Sequence, residues 1–334
     1  MAVARRKTPL KVTSLGYFNH RNFGDDLLQA TIAGLFMHHA VNFHAWTPSF
    51  RALNESDLIV VGGGSIWPDT SFFSREPTLF QHVRVPFAVI GISARRSDSL
   101  IAARTRRLVE ESVFFHVRDN DTVQELGRPS NVRCGADLFW WSADFRAPAA
   151  PEETRRTVAL NLRSWKKMTW APEAMMDVLV QHGYKVLPMP LYFGSTVHDA
   201  AGDMDDAALM RELGLSVPVD LWDETPLAQS SIVVSMRFHG LLLGIRAGRP
   251  VIGFDYHPKI RSLFSDLGIP ELLVPLDDPI AFQATLAYVE ANYDELLGRI
   301  STYRDRCIQQ GSSDRSAFVQ CINDHFDRVR GPGQ

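Results

Sequence analysis

The chain has 334 residues, and its length, composition and charge limit the classes of protein to which it can belong. Hydrophobic residues make up 45% and charged residues 22% of the sequence, an average globular composition that excludes a fibrous repeat and long disorder. The net charge of −3 lacks the basic excess of proteins that neutralise nucleic-acid phosphates, so no nucleic-acid partner is expected.

Short apolar runs bounded by Gly, Pro or Asp alternate with helical patterns over most of the chain. Helices are predicted at Asp25–Met37 and Ser99–Glu111, where apolar residues form one stripe. This alternation is typical of parallel strands joined by crossover helices. The predicted strands, in chain order, are Val12–Tyr17, Val41–Ala45, Leu58–Val61, Phe87–Ile92, Val113–Val117, Val158–Leu162, Lys185–Met189, Ile232–Ser235 and Val251–Phe254.

Composition shifts predict where the domains begin and end. At the usual ~100–200 residues per domain, the length favours two domains over one large α/β domain. Residues 141–156 turn to Ala, Pro and charge, as interdomain linkers do. From Asp278 onward only helices are predicted, at Ala281–Leu297 and Asp314–Val329. We therefore expect domains over residues 1–148 and 149–310, a helical tail over 311–334, and a site in the cleft between the domains.

Cysteine usage and hydropathy predict a cytoplasmic location. The three cysteines, Cys134, Cys307 and Cys321, are widely spaced and form no CxxC pair, so reduced thiols are expected. The residues after Arg5, Arg6 and Lys7 do not form the apolar core of a signal peptide. The apolar runs are far shorter than the ~20 residues of a membrane helix, so any membrane contact is expected to be peripheral.

Two glycine-containing turns follow predicted strands in the first half of the chain. Asn22-Phe-Gly24-Asp25 leads into a helix, where backbone N–H groups and the helix dipole favour an anion. The alternative is that Asp25 only caps that helix. Gly62-Gly63-Gly64 follows Val60-Val61 and permits close approach of a ligand, although a tight structural turn explains it almost as well.

The second half of the chain places a cation after each of three predicted strands. Ile232–Ser235 is followed by Arg237 and His239 at the start of a helix, where cation, imidazole and helix dipole act on one point. Lys259 opens the helix after the next strand, and Arg163 follows Val158–Leu162. Taken alone, a structural ion pair for Arg237 and a core position for His239 explain the pattern as well as a functional site does. Their repetition favours an anion site.

These motifs, in this order, resemble those of the polysaccharide pyruvyl transferases over residues ~10 to ~270. The most specific block is Ser-x-Arg-x-His at 235–239 with Tyr-x-x-Lys at 256–259. One departure is Ser93-Ala-Arg95-Arg96, where the family would have a Gly-Pro-like turn, and it leaves acceptor recognition there open. The other matching positions are Asn22-Phe-Gly24-Asp25, Gly62-Gly63-Gly64, Val117-Arg118-Asp119, Asp137 and Pro250.

The resemblance implies an α/β fold of two Rossmann-like doubly wound domains facing across a cleft (GT-B-like), with C-terminal helices. The N-terminal domain would hold the acceptor and the C-terminal domain the donor. Phosphoenolpyruvate would be the donor, and its pyruvyl group would form a cyclic ketal with two hydroxyls of a sugar, with release of phosphate, in cell-surface polysaccharide biosynthesis. The acceptor could be a free, lipid-linked or nucleotide-linked sugar. The motif block also implies that Ser235, Gly240 and Tyr256 contact the donor, and that Asn22, Gly24 and Gly62–Gly64 lie on the acceptor side.

The chemistry of this reaction can be set against the residues directly. Phosphoenolpyruvate carries about three negative charges, because the second pKa of a phosphate monoester is ~6, and Arg163, Arg237 and Lys259 supply three cations. Carbon 2 becomes electrophilic only when carbon 3 is protonated, and His239 is the candidate acid. Asp25 is the candidate base for a sugar hydroxyl, and Asp137 and Asp69 are the next candidates if His239 and Asp25 prove to be structural. No metal or redox cofactor is expected.

Blander interpretations hold for other motifs, and two further functions stay open. Asp203-Met-Asp205-Asp206 has the DxD spacing of metal–nucleotide sites, but a helix-capping cluster is predicted. Trp165 follows a strand and is either a packing residue or a platform for a sugar ring. The alternative functions are a nucleotide-sugar-dependent glycosyltransferase of GT-B architecture and a non-catalytic anion-binding protein.

Overall fold

The computed structural model describes residues 1–45, 48–67, 83–94, 109–142, 156–165, 172–194, 205–217 and 223–330, without the side chains of 65–67, 94 and 330. The chain divides into two compact units. The first unit comprises Met1–His20, Asp25–Ala143 and Cys307–Gln334, and the second comprises Arg21–Gly24 and Asp144–Arg306. The boundary predicted near residue 148 falls outside the described residues.

The first unit is built on a six-stranded parallel sheet in the order β2-β1-β3-β4-β5-β6. Parallel strands need crossover connections, and the helices supply them. The strands are β1 (Lys11–Leu15), β2 (Ala40–His44), β3 (Leu58–Trp67), β4 (Phe87–Ala94), β5 (Phe114–Val117) and β6 (Val132–Cys134). The helices described between them are α1 (Phe23–Leu35), α2 (Phe50–Asn54) and α3 (Asn120–Glu125), with a 3₁₀ turn at Leu138–Trp141.

The glycine run of the first unit lies inside a strand, which corrects the prediction of a turn at this point. β3 continues through Gly62–Gly64 to Trp67, with a register irregularity after Gly64. Gly63 has φ +78°, a backbone conformation that favours glycine. A Cβ on Gly62 would lie 2.8 Å from Ile32 Cδ1, and one on Gly63 would lie 2.6 Å from Leu28 Cδ1. At these two glycines, the groups that approach the backbone closely are side chains of α1.

The second unit is built on a five-stranded parallel sheet in the order β11-β10-β9-β7-β8. Counted from β7 this is the doubly wound order 2-1-3-4-5, whose switch point lies between β7 and β9. The strands are β7 (Thr157–Asn161), β8 (Lys185–Pro188), β9 (Ile232–Ser235), β10 (Val251–Phe254) and β11 (Leu273–Val274). The helices are α4 (Pro172–Gln181), α5 (Asp206–Glu212), α6 (Thr225–Ala228), α7 (Phe238–Arg246), α8 (Pro258–Leu267) and α9 (Pro279–Ala291), with a 3₁₀ turn at Pro270–Leu272.

The C-terminal helix α10 runs from Tyr293 to Arg330, and its residues from Cys307 onward belong to the first unit. The prediction of a break between Leu297 and Asp314 was wrong, because α10 is continuous there. The break lies earlier, where α9 ends at Ala291 with Asn292 as its C-cap. In the first unit α10 is held by Asp314, which accepts a hydrogen bond from the Ala136 amide at 3.0 Å and faces His116 Nε2 at 3.3 Å.

The predicted α/β class with two parallel, doubly wound sheets is confirmed. Each of the nine predicted strands has a counterpart, and Ile232–Ser235 and Val251–Phe254 match at both ends. Eight of them agree within two residues, whereas β3 extends to Trp67, beyond the predicted end at Val61. The two strands not predicted, β6 and β11, have only three and two residues. The predicted helix Ser99–Glu111 lies outside the described residues except for its last three. In the part of the chain that the structure describes, no helix is long and apolar enough to span a membrane.

Candidate active site

The predicted cations follow three neighbouring strands of the second unit at their carboxyl ends. Asn161 ends β7 and pairs in register with Ser235, which ends β9, so the two residues mark the switch point of the sheet. Arg163 and Arg237 lie two residues beyond these strands, and Lys259 lies in the first turn of α8, after β10. Ligands of doubly wound sheets bind outside the carboxyl ends of the strands at such a switch point.

A buried polar network joins the ends of β7 and β9. The hydroxyl of Ser235 donates to Asn161 Oδ1 at 3.1 Å, and the amide of Arg237 donates to the same oxygen at 3.1 Å. Asn161 and Ser235 are both fully buried. A Cβ on Gly240 would lie 2.2 Å from Ser235 Oγ, so glycine at 240 is required for α7 to begin this close to β9. The network fixes the point where the backbone turns from β9 into α7.

Arg237 is held by a carboxylate that sequence reasoning did not assign to the site. Its Nε and Nη2 donate to the two oxygens of Asp206, each at 2.6 Å, and Asp206 is fully buried. Burial lowers the pKa of Arg237, but the charge and hydrogen bonds of Asp206 outweigh this effect and hold the pKa above its ordinary value. Because Asp206 occupies the Nε–Nη2 edge, a contact of Arg237 with an anion would use Nη1 and the second N–H of Nη2.

Asp206 also binds the chain beyond β8. Its Oδ2 accepts hydrogen bonds from Asn161 Nδ2 at 2.8 Å and from the amide of Leu191 at 3.1 Å. The predicted capping role in this acidic run falls to Asp205, whose side chain accepts from the amide of Ala208. The DxD run therefore predicted the start of α5 correctly, but it did not indicate that the carboxylate of Asp206 faces inward. Asp203 lies outside the described residues.

Aromatic rings surround the two arginines. The Arg237 guanidinium lies 4.8 Å from the centre of the Tyr192 ring. The Arg163 guanidinium lies 4.9 Å from the Trp165 ring and 5.6 Å from the Tyr256 ring, and these rings are 4.9 Å apart. Burial raises the pKa of the Tyr256 phenol, against the opposing charges of Arg163 and Arg237, so this phenol is neutral near pH 7. Trp165, which the sequence offered as a platform for a sugar ring, has the Arg163 guanidinium stacked on its ring.

His239 lies in the first turn of α7, against the segment Arg21–Gly24 of the second unit. A Cβ on Gly24 would lie 2.0 Å from His239 Nδ1, so only glycine leaves room for the imidazole. Nε2 is the ring nitrogen farther from Gly24. The segment is fixed by the amide of Phe23, which donates to Leu191 O at 2.8 Å, and by a bridge between Asn22 and Tyr192.

Asp25, the predicted base, lies in the first turn of α1. It follows Gly24 in the chain and belongs to the first unit. The predicted alternative of an N-cap is wrong, because α1 begins at Phe23 and the Gly24 amide donates to Asn22 Oδ1 at 3.3 Å. Burial raises the pKa of the neighbouring Asp26.

Lys259 and the remaining candidates have identifiable surroundings. Lys259 Nζ lies 5.4 Å from the Phe238 ring, and His257 Nδ1 accepts from the Lys259 amide as the N-cap of α8. In the first unit Asp137 pairs with Arg118 at 2.5 Å and caps the 3₁₀ turn, so its carboxylate is already engaged. Asp69 lies outside the described residues.

The fold is similar to those of solved epimerases and of a glycosyltransferase at low sequence identity. A putative UDP-N-acetylglucosamine 2-epimerase from Listeria monocytogenes matches with a TM-score of 0.60 and 11% identity, covering 96% of this chain and 98% of that one. A glycosyltransferase from Rickettsia africae gives 0.57 and 10%, covering 97% and 100%. UDP-GlcNAc 2-epimerase from Neisseria meningitidis gives 0.56 and 11%, covering 93% and 100%. At these identities the likeness shows the two-domain GT-B type of fold alone.

Comparison with known sequences identifies the family. No curated protein matches the chain. The model of the family described as polysaccharide pyruvyl transferase matches residues 7–258, which is most of the chain and includes both glycine-containing motifs, the strand-end arginines and the Ser-x-Arg-x-His block. The chain therefore belongs to the polysaccharide pyruvyl transferase family.

Proposed function

We propose that the protein transfers the pyruvyl group of phosphoenolpyruvate to two hydroxyls of one sugar, forming a cyclic ketal and releasing phosphate, in the cytoplasmic synthesis of a cell-surface polysaccharide. One observation carries the proposal: charged side chains follow three adjacent strands at the switch point of the second unit. They are Arg163 after β7, Arg237 with His239 after β9, and Lys259 after β10. The family supports a sugar acceptor. In this scheme phosphoenolpyruvate is a substrate and no resident cofactor is needed.

The charges of the second unit suit a small, highly charged anion. Asp206 cancels the charge of Arg237, so the attraction for a trianionic donor comes mainly from Arg163, Lys259 and the N-terminus of α7. Arg237 would instead contribute a fixed N–H donor. A fixed guanidinium fits the planar carboxylate or the phosphate of phosphoenolpyruvate better than a mobile ammonium.

The proposed reaction needs one acid and one base. His239 would protonate carbon 3 through Nε2, which makes carbon 2 electrophilic as the first sugar hydroxyl attacks. Asp25 would accept the proton of that hydroxyl. Loss of phosphate would leave an oxocarbenium-like centre, which the second hydroxyl captures to close the ring. The proton of the second hydroxyl would leave with phosphate. Asp25 would release its proton and His239 would take one up before the next turnover, so the two acceptor protons are balanced by one in the new methyl group and one in the released phosphate.

The test is phosphate release from phosphoenolpyruvate in the presence of a library of free, lipid-linked and nucleotide-linked sugars. Products should gain the mass of a pyruvyl ketal, and the purified protein should bind phosphoenolpyruvate by calorimetry. Turnover of UDP-sugars without phosphoenolpyruvate would instead identify a glycosyltransferase, which is what the structurally similar protein from Rickettsia africae is named. Binding without turnover of either donor would indicate a non-catalytic anion-binding protein.

A further inference from the structure

We propose that Asp206 is a positioning residue of this site, which aims the Arg237 guanidinium and holds the backbone that seats Gly24 beside His239. The proposal rests on the proposed function for its kinetic test, but its structural basis is independent of it. Asp206 is the first residue of α5 and makes no cap; Asp205 does that. Its burial is therefore not explained by the start of the helix.

One carboxylate organises three parts of the second unit. Oδ1 accepts from Arg237 Nη2, and Oδ2 accepts from Arg237 Nε, from Asn161 Nδ2 and from the Leu191 amide. The amide of Asp206 donates to Tyr192 O at 3.0 Å, so side chain and backbone both bind residues 191–192. A bidentate carboxylate leaves the guanidinium little rotational freedom, which fixes the direction of Nη1.

Residues 191–193 carry this order to the imidazole. The Leu191 carbonyl accepts from the Phe23 amide, and the Phe193 amide donates to the Arg21 carbonyl at 3.2 Å. These bonds seat Arg21–Gly24, and the Gly24 backbone lies against His239. The chain of contacts therefore runs from Asp206 through Leu191 and Phe23 to the proposed acid.

The negative charge of Asp206 predicts opposite effects on donor affinity and on turnover, and this pattern distinguishes a positioning role from a general loss of structure. Asp206→Asn removes one negative charge beside Arg237 while keeping the shape of the side chain. Phosphoenolpyruvate should then bind as tightly as before or more tightly, because the site becomes more positive. Turnover should fall on the order of 10²-fold, since misplacement of catalytic groups by about 1 Å has effects of that size.

The adjacent residue supplies the matched control. Asp205→Asn makes the same chemical change one residue away and should leave kcat and donor affinity unchanged, because Asn caps a helix as well as Asp does. The experiment measures kcat and the calorimetric Kd for phosphoenolpyruvate in wild type and both variants. A fall in kcat without weaker binding, confined to Asp206→Asn, supports the proposal. Wild-type turnover in Asp206→Asn, or a parallel loss of affinity in a folded variant, overturns it.

A measurement on the wild-type protein keeps the proposal testable if Asp206→Asn does not fold or if the enzyme proves inactive with phosphoenolpyruvate. The Nε–H of Arg237 should give a slowly exchanging NMR signal, because its short hydrogen bond to Asp206 is buried. Fast exchange at Arg237 Nε would overturn the proposal. An inactive wild type with a slowly exchanging Nε–H would count against the proposed function and support the anchoring by Asp206.

Discussion

Replacing Gly24 by alanine tests the site through a single methyl group. The new Cβ would lie 2.0 Å from His239 Nδ1 and 2.6 Å from Cγ, whereas ordinary van der Waals contact begins at 3.4 Å. The imidazole must therefore move by about 1.4 Å. A displacement of about 1 Å at a catalytic group can cost on the order of 10²-fold in rate, equivalent to about 2.7 kcal/mol in the activation barrier.

The stability of the protein should change much less than its activity. Alanine is favoured over glycine by roughly 0.5–1 kcal/mol in a helix interior, and the smaller gain at Gly24, in the first turn of α1, offsets part of the steric cost. Gly34→Ala is the matched control, because Gly34 lies in the same helix and a Cβ there meets no atom within 4 Å. That variant should keep full activity and melt at the same or a slightly higher temperature.

The assay is phosphate release from phosphoenolpyruvate with a reactive acceptor, alongside thermal unfolding of each variant. A second comparison isolates the contact: in a His239→Ala background, Gly24→Ala should cause no further loss, since the group that it displaces is already gone. If Gly24→Ala keeps kcat within threefold of wild type, or if the two losses add, the assignment of His239 as the acid seated by Gly24 is refuted.

Three further predictions concern other residues. His239→Ala should lower kcat by roughly 10²–10⁴-fold and abolish exchange of the carbon 3 hydrogens of phosphoenolpyruvate with deuterated solvent. Asp25→Asn should also lower kcat, but this exchange should continue when a non-reacting acceptor analogue is bound. The opposite pattern of exchange, measured by NMR, would reverse the two roles. Arg237→Ala should destabilise the fold by about 3–5 kcal/mol in denaturant unfolding, because Asp206 is left buried and unpaired, and a loss below 1 kcal/mol would contradict the ion pair. Burial raises the pKa of Asp314, but its contacts with His116 and the hydrogen bonds from Ala136 and Gln310 outweigh burial and hold the pKa below its ordinary value. The stabilisation is therefore present above the ordinary pKa of an aspartate and is lost as the pH falls through the lower folded-state pKa. Asp314→Asn should be less stable by about 1–3 kcal/mol at neutral pH and should lose less stability in acid, and equal acid sensitivity in denaturant unfolding would contradict this.

The sequence by itself determined the fold class and the strand ends that carry the candidate site. β9 and β10 are short, fully buried runs flanked by polar residues, and such local patterns fix both the type and the limits of a parallel strand. Strands of two or three residues, such as β6 and β11, carry too little pattern to be predicted. The position of Arg237 and His239 at the start of α7 follows in the same way, because a strand end and a helix start are both local features.

Only the tertiary structure decided what these residues contact. Asp206 lies 31 residues before Arg237, and its preference for a helix start describes Asp205 equally well. Which of the two carboxylates faces β9 depends on how α5 packs on the sheet, and no local spacing encodes that packing. The need for glycine at 24 likewise comes from the approach of His239, a residue of a distant helix. Local propensities set the elements and their ends, while contacts between residues far apart in sequence depend on packing that the whole core determines together.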